Sequence, residues 1–147
     1  MIRHLTPDCE EILRRYLFLS LWIVLILFPV AWLARHSAWV YRLLILHFSP
    51  VWVHVVLHVL LFAVLAWLLA SLRLPLPRPW RLLAIAGVIM LVALGQEVLQ
   101  LWAKGRGPGR DELFDLGVDM AGAALGWLAF YGHRWWARFR PRSERRL

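Results

Sequence analysis

Gly95 to Gly126 reads GQEVLQLWAKGRGPGRDELFDLGVDMAGAALG, a basic glycine-rich loop between two apolar runs that carry carboxylates and amides close to their ends. The apolar flanks continue on both sides, from Leu82 to Ala103 and from Leu113 to Gly132. Each is long enough to cross a ~30 Å hydrocarbon core as a helix. The stretch therefore reads as a helical hairpin in a membrane, and composition supports that class. Of the 147 residues, 61% are apolar and ten are Trp, against ~45–50% apolar residues in soluble domains.

Working outward, Val51 to Leu72 forms another apolar run, interrupted by His54 and His58, and Tyr16 to Ala34 gives an uncharged run that includes Pro29. The expected fold is an all-α membrane protein with four transmembrane helices, at about 16–34, 51–72, 82–103 and 113–132, in a single domain over 1–147. A cleaved signal peptide is the other reading of the first run. Its apolar length exceeds the ~7–15 residues of a signal-peptide core and favours a retained helix, kinked at Pro29. Arg35 to Pro50, with Trp39, Tyr41, Arg42, His47 and Phe48, suits a short interfacial segment between helices one and two. Arg73 to Arg81 holds three prolines and is a stiff connector, not helical throughout. The tail from 133 to 147, HRWWARFRPRSERRL, is basic and aromatic and suits an anionic headgroup layer.

The formal charge of +8 does not indicate nucleic acid, because the arginines lie between and beyond the apolar runs. With four spans, the N-terminal segment, the 73–81 connector and the tail share one side and carry three, three and six Lys or Arg. The opposite side carries two and three. The positive-inside rule then predicts N-in/C-in orientation with an outward Lys104–Arg110 loop. The single cysteine, Cys9, excludes an internal disulfide and a Cys-based zinc site.

In that topology the polar groups share one leaflet. At ~1.5 Å per residue, His54 and His58 lie roughly 5 and 10 Å below the outer boundary, and Glu97, Gln100, Asp115 and Asp119 fall at comparable depth. The histidines are four apart, Glu97 and Gln100 three apart, and the aspartates four apart, so each pair shares a helix face. Continuing the aspartate stripe reaches Gly122 and Gly126, small residues that permit close helix packing. An ionisable group facing lipid costs ~2.5–3.5 kcal/mol. The acids are therefore expected to face the bundle interior or a polar cavity. Two readings follow: an outward-open ligand pocket, or a buried hydrogen-bond network that only fixes packing.

Glu97-x-x-Gln100, Pro108-Gly109-Arg110 and Asp115-x-x-x-Asp119-x-x-Gly122-x-x-x-Gly126 together resemble the VanZ-like family of small bacterial membrane proteins. His58 with Phe62 resembles that family's H-x-x-x-F on an earlier helix. Asp119 stands where the family usually has Asn, and His54-Val55 stands where it commonly has Asp-Lys. The loop from Arg110 to Asp115 is one residue shorter than the family pattern.

The resemblance implies a multi-pass protein of the bacterial cytoplasmic (inner) membrane, related to one conferring low-level resistance to the glycopeptide teicoplanin. It also implies a functional set of His58, Glu97, Gln100, Arg110, Asp115 and Asp119, and it supplies no catalytic mechanism. The expected function is an accessory or binding protein acting on the cell envelope, without a cofactor. Its partners would be membrane lipids or a lipid-linked cell-wall precursor, with a membrane protein or a second copy of the chain as further candidates. Arg110 would hold phosphate and the carboxylates amines. The alternative is a small membrane hydrolase or transferase acting on lipid-linked or phosphorylated envelope substrates. Paired carboxylates can serve general acid/base chemistry, and Glu97, Asp119 and His58 form a two-carboxylate, one-histidine set of the kind that binds metal. No H-E-x-x-H is present, and no serine or cysteine lies on the pocket-facing stretches.

Overall fold

The computed structural model describes residues 7–28, 32–33, 36–42, 50–72, 74–105, 107 and 109–139. Among these there is no strand. The long elements are α1 (Pro7–Leu27), α2 (Val51–Ser71), α3 (Arg78–Lys104) and α4 (Arg110–Phe139). Residues 38–42 add a short helical piece within the segment expected at the interface, opened by Ser37, whose Oγ accepts from Val40 N. Pro29, His47, Phe48 and the chain beyond 139 lie outside the described residues.

Three helices, α2, α3 and α4, are long and apolar enough to cross a membrane. Their outward faces carry large apolar side chains such as Val51, Trp52, Leu91, Val98, Leu113 and Leu128. A surface of that kind faces lipid at no hydrophobic cost. α1 starts at Pro7 rather than near Tyr16. Its first half carries Glu10, Glu11, Arg14 and Arg15, with Arg15 donating to Glu11 at 2.5 Å one turn earlier. That i, i+4 pairing lets the helix start in charged sequence ahead of the apolar run.

The other boundaries also run longer than the apolar runs. α3 begins at Arg78, behind Pro77 at the N-cap and with Pro79 in its first turn, positions where the missing N–H costs nothing. The proline connector is thus shorter than 73–81. α3 ends at Gly105, whose φ of 66° and ψ of 31° are left-handed and whose N–H caps Leu101 O and Trp102 O. α4 starts at Arg110, with Gly109 N donating to Glu112 Oε2 at 2.7 Å, the return bond of a capping box. It runs on through Phe139, so the basic tail is helical from His133 to Phe139.

The four helices alternate in direction. Arg14 and Arg15 near the start of α1 share a cavity of about 240 Å³ with Leu68, Ser71 and Leu72 at the end of α2, whereas Leu27 at the far end of α1 packs on Gly95 of α3. Trp22 Nε1 donates to Leu61 O at 3.0 Å and ties α1 to α2. The core is apolar, with Phe62, Leu65, Ala66 and Leu69 of α2 meeting Ile85, Ile89, Val92 and Ala93 of α3 and Leu19 and Ile26 of α1.

The most extensive pairing is between α2 and α4, which run parallel. His54 meets Asp115, His58 meets Asp119, Val59 lies against Gly122, Ala63 against Gly126, and Trp67 packs edge-on to Phe130 at 5.5 Å. A Cβ on Gly122 would fall 2.5 Å from Val59 O, and one on Gly126 would overlap Ala63 O. Glycine at both positions is what brings the two backbones together. At the end of the bundle opposite the histidines, Arg78, Arg81, Arg134 and Arg138 line a cleft of about 530 Å³ with Tyr131 and Trp135.

Candidate functional site

The close approach at Gly122 and Gly126 sets the register of α2 on α4, and that register places two histidines of one helix beside two aspartates of the other. His54 and His58 are one turn apart on α2, with ring centroids 4.2 Å apart. Asp115 and Asp119 are one turn apart on α4. The His58 Nδ1–H donates to Asp119 Oδ1 at 2.8 Å, with both side chains buried. The His54 Nε2–H donates to Asp115 Oδ2 at 3.2 Å, with His54 partly open to the surroundings and Asp115 buried.

α3 adds a third carboxylate. Glu97 is buried at 6% exposure and lies within Coulombic reach of Asp115, Asp119 and His58. Neither Glu97 oxygen has a hydrogen-bond partner among the described residues, and neither does Asp119 Oδ2. Beside Glu97, Gln96 is also buried, with its Oε1 unpartnered. Three carboxylates and two imidazoles are thus gathered from three helices, with acceptor capacity to spare.

Of the six residues expected from sequence, His58, Glu97, Asp115 and Asp119 meet in this cluster. Gln100 is half-buried one turn nearer the end of α3, where its Oε1 accepts from Lys104 Nζ at 3.1 Å. Arg110 is exposed at the first residue of α4, ~7.5 Å along the axis from Asp115 at the helical rise. Both mark the rim above the cluster rather than its interior.

One member was not in the expected set. His54 forms an ion-pair contact with Asp115, and its i, i+4 spacing from His58 was the signal that placed it on the same face. Gln96, next to Glu97 in the chain, is also buried. Glu112, also buried, serves the helix start through Gly109.

No family model, curated protein or solved structure matches this chain.

Chemically, the arrangement can accept a cation, an amine or protons. His54, His58 and Asp115 each offer one ligand atom, and these three atoms lie within 4.8 Å of one another. No serine, threonine or cysteine appears among these residues, so proton transfer, ion binding or nucleophilic attack would each fall to the carboxylates and imidazoles themselves.

Proposed function

We propose that the chain is a VanZ-like protein of the bacterial cytoplasmic membrane with four spans, both termini in the cytoplasm, and a polar pocket opening outward between α2, α3 and α4. It acts as an accessory or binding protein on a component of the cell envelope, a lipid headgroup or lipid-linked cell-wall precursor, in the manner of glycopeptide-resistance proteins. The cluster binds the cationic part of that ligand, and Arg110 at the rim takes its phosphate.

One observation carries this reading: the carboxylate of Glu97 is buried with no hydrogen-bond partner among the described residues. A buried carboxylate without a partner is costly in any apolar setting. A group kept only for packing would be paired, as Asp115 is with His54, so the open acceptors point to a ligand. The alternating helix directions and the arginine-lined cleft at the opposite end support the orientation through the positive-inside rule.

Native mass spectrometry of the protein released from its own membrane tests the reading. Wild-type protein is expected to retain a phospholipid or lipid-linked species, and Glu97→Gln and Arg110→Ala to lose it while remaining folded. Retention by both variants at the wild-type level overturns it.

A further inference from the structure

We propose that His54, His58 and Asp115 form a divalent transition-metal site, of the zinc type with three protein ligands and one position left for water or a ligand oxygen. The proposal rests on the reading of this cluster as a ligand site and names the ion that would occupy it.

The donor set is the first argument. Two imidazoles and a carboxylate suit zinc or iron(II), whereas calcium and magnesium require mostly oxygen ligands. The three ligand atoms lie within 4.8 Å of one another, and the His54 Nε2 to Asp115 Oδ2 edge is 3.2 Å; the ion would replace the Nε2 proton that now bridges these two atoms, so binding releases a proton. Donors bound tetrahedrally at ~2.1 Å are separated by ~3.4 Å. One edge of the triangle is therefore close to that length, and the other two are at most 4.8 Å.

The second argument is the arrangement around the donors. His58 gives its Nδ1–H to Asp119 Oδ1, which leaves Nε2 as the nitrogen with a free lone pair. A carboxylate that holds one imidazole nitrogen so that the other binds metal is the usual support of a metal-ligating histidine. Asp119 is 0% exposed, and its second oxygen is unpartnered among the described residues. It is built as the orienting residue rather than as a ligand.

Charge is the third. Glu97, Asp115 and Asp119 place three carboxylates around two imidazoles inside a helical bundle, with both Glu97 oxygens unpartnered. A divalent cation would offset the negative charge these carboxylates carry when ionised, and is the strongest local charge such a site can hold. Three-ligand coordination would leave a position facing the open side of His54, where a phosphate or carboxylate oxygen of an envelope ligand can bind. Glu97, within Coulombic reach of Asp115 and His58, would serve near the ion as a proton acceptor or amine-binding group.

The test uses full-length protein, purified in detergent without chelators and with an affinity tag that contains no histidine. Elemental analysis is expected to find about one zinc per chain, and iron in its place supports the site equally. Cobalt(II) titration is expected to produce ligand-field bands in wild type and in Gly87→Ala, whose added Cβ meets nothing within 4 Å, and none in His54→Gln or His58→Gln. Asp119→Asn is expected to weaken cobalt binding ~10–100-fold with the bands retained, as for an orienting residue. Size-exclusion profiles and thermal unfolding establish that each variant is folded, and zinc is expected to raise the unfolding temperature of wild type and of the Gly87→Ala control but not of His54→Gln or His58→Gln. The site is overturned if folded wild type carries no transition metal and binds cobalt no more tightly than the His54→Gln/His58→Gln double variant. Native mass spectrometry on the same samples separates the two ideas. Lipid retained by metal-free protein leaves the ligand pocket standing without its metal, and metal bound without lipid does the reverse.

Discussion

His58 and Asp119 are 61 positions apart in the chain, yet their Nδ1 and Oδ1 atoms lie 2.8 Å apart, with Asp119 wholly buried. The pair exists because α2 and α4 run parallel and in contact, with His54–Asp115 one turn above and Gly122 one turn below. Replacing Asp119 by Asn keeps an acceptor for His58, and Asn is the residue the VanZ-like pattern carries there. Asp119→Asn is expected to cost under ~1 kcal/mol, and Asp119→Ala, which strands a buried imidazole N–H, about 1–3 kcal/mol. Equilibrium unfolding in detergent or bicelles decides, and equal losses for the two would show that the hydrogen bond is not what holds the site.

The two glycines make a sharper claim. A side chain at Gly126 collides with the Ala63 backbone, which cannot yield as a flexible side chain would. Gly126→Val is expected to destabilise by at least about 1–3 kcal/mol and to abolish the pairing above it. Gly87 on α3 has nothing within 4 Å of an added Cβ, so Gly87→Ala is expected to be neutral or to stabilise by up to ~1 kcal/mol. Thermal unfolding of both variants checks the contrast, which disappears if α2 and α4 do not pack through glycine.

Glu97 is expected to trade stability for function. Removing a buried carboxylate that lacks a partner while keeping the volume, as in Glu97→Met, is expected to raise stability by on the order of 1 kcal/mol and to eliminate ligand retention. A clear loss of stability would instead mark Glu97 as part of a packing network.

Topology has a direct readout. With Cys9 replaced by Ser, a cysteine introduced at Gly107 is expected to react with a membrane-impermeant thiol reagent on intact spheroplasts. One at Arg138 is expected to react only after permeabilisation. The reverse pattern would overturn the orientation, and labelling of both from one side would show that α4 does not cross the membrane.

Trp22 tests how α1 is attached. Its Nε1–H donates to Leu61 O at 3.0 Å, an extra bond to a carbonyl in the middle of α2. Trp22→Phe keeps the ring and loses the donor, and is expected to cost about 0.5–1.5 kcal/mol. Faster proteolysis of the N-terminal helix in the folded state, with the remaining bundle intact, would place that loss at the α1 docking surface.

Much of this was legible in the chain, and the reasons are local. Apolar runs of membrane-crossing length declare helices, because only a helix satisfies its own backbone in lipid. The i, i+4 spacings of His54 with His58 and of Asp115 with Asp119 declare shared faces, because helical geometry depends only on separation along the chain. Gly122 and Gly126, four apart on the same stripe, declared a packing surface. Helix ends were less legible: α1 begins in charged sequence and α4 continues into the basic tail, since i, i+4 pairing and capping extend helices beyond the apolar windows that reveal them.

Sequence alone determined that polar groups from α2, α3 and α4 would occupy one level of a helical bundle. Which of them touch was decided by tertiary structure. The pairings of His54 with Asp115 and of His58 with Asp119 depend on the register of two helices, set where Gly126 meets Ala63 and Gly122 meets Val59. A rotation of ~100° per residue turns any side chain away from its neighbour. Gln96 and Gln100 are one turn apart on a shared face, yet the first is buried in the bundle and the second, nearer the helix end, accepts from Lys104. Local spacing specifies a face, and only the packed neighbour specifies what that face meets.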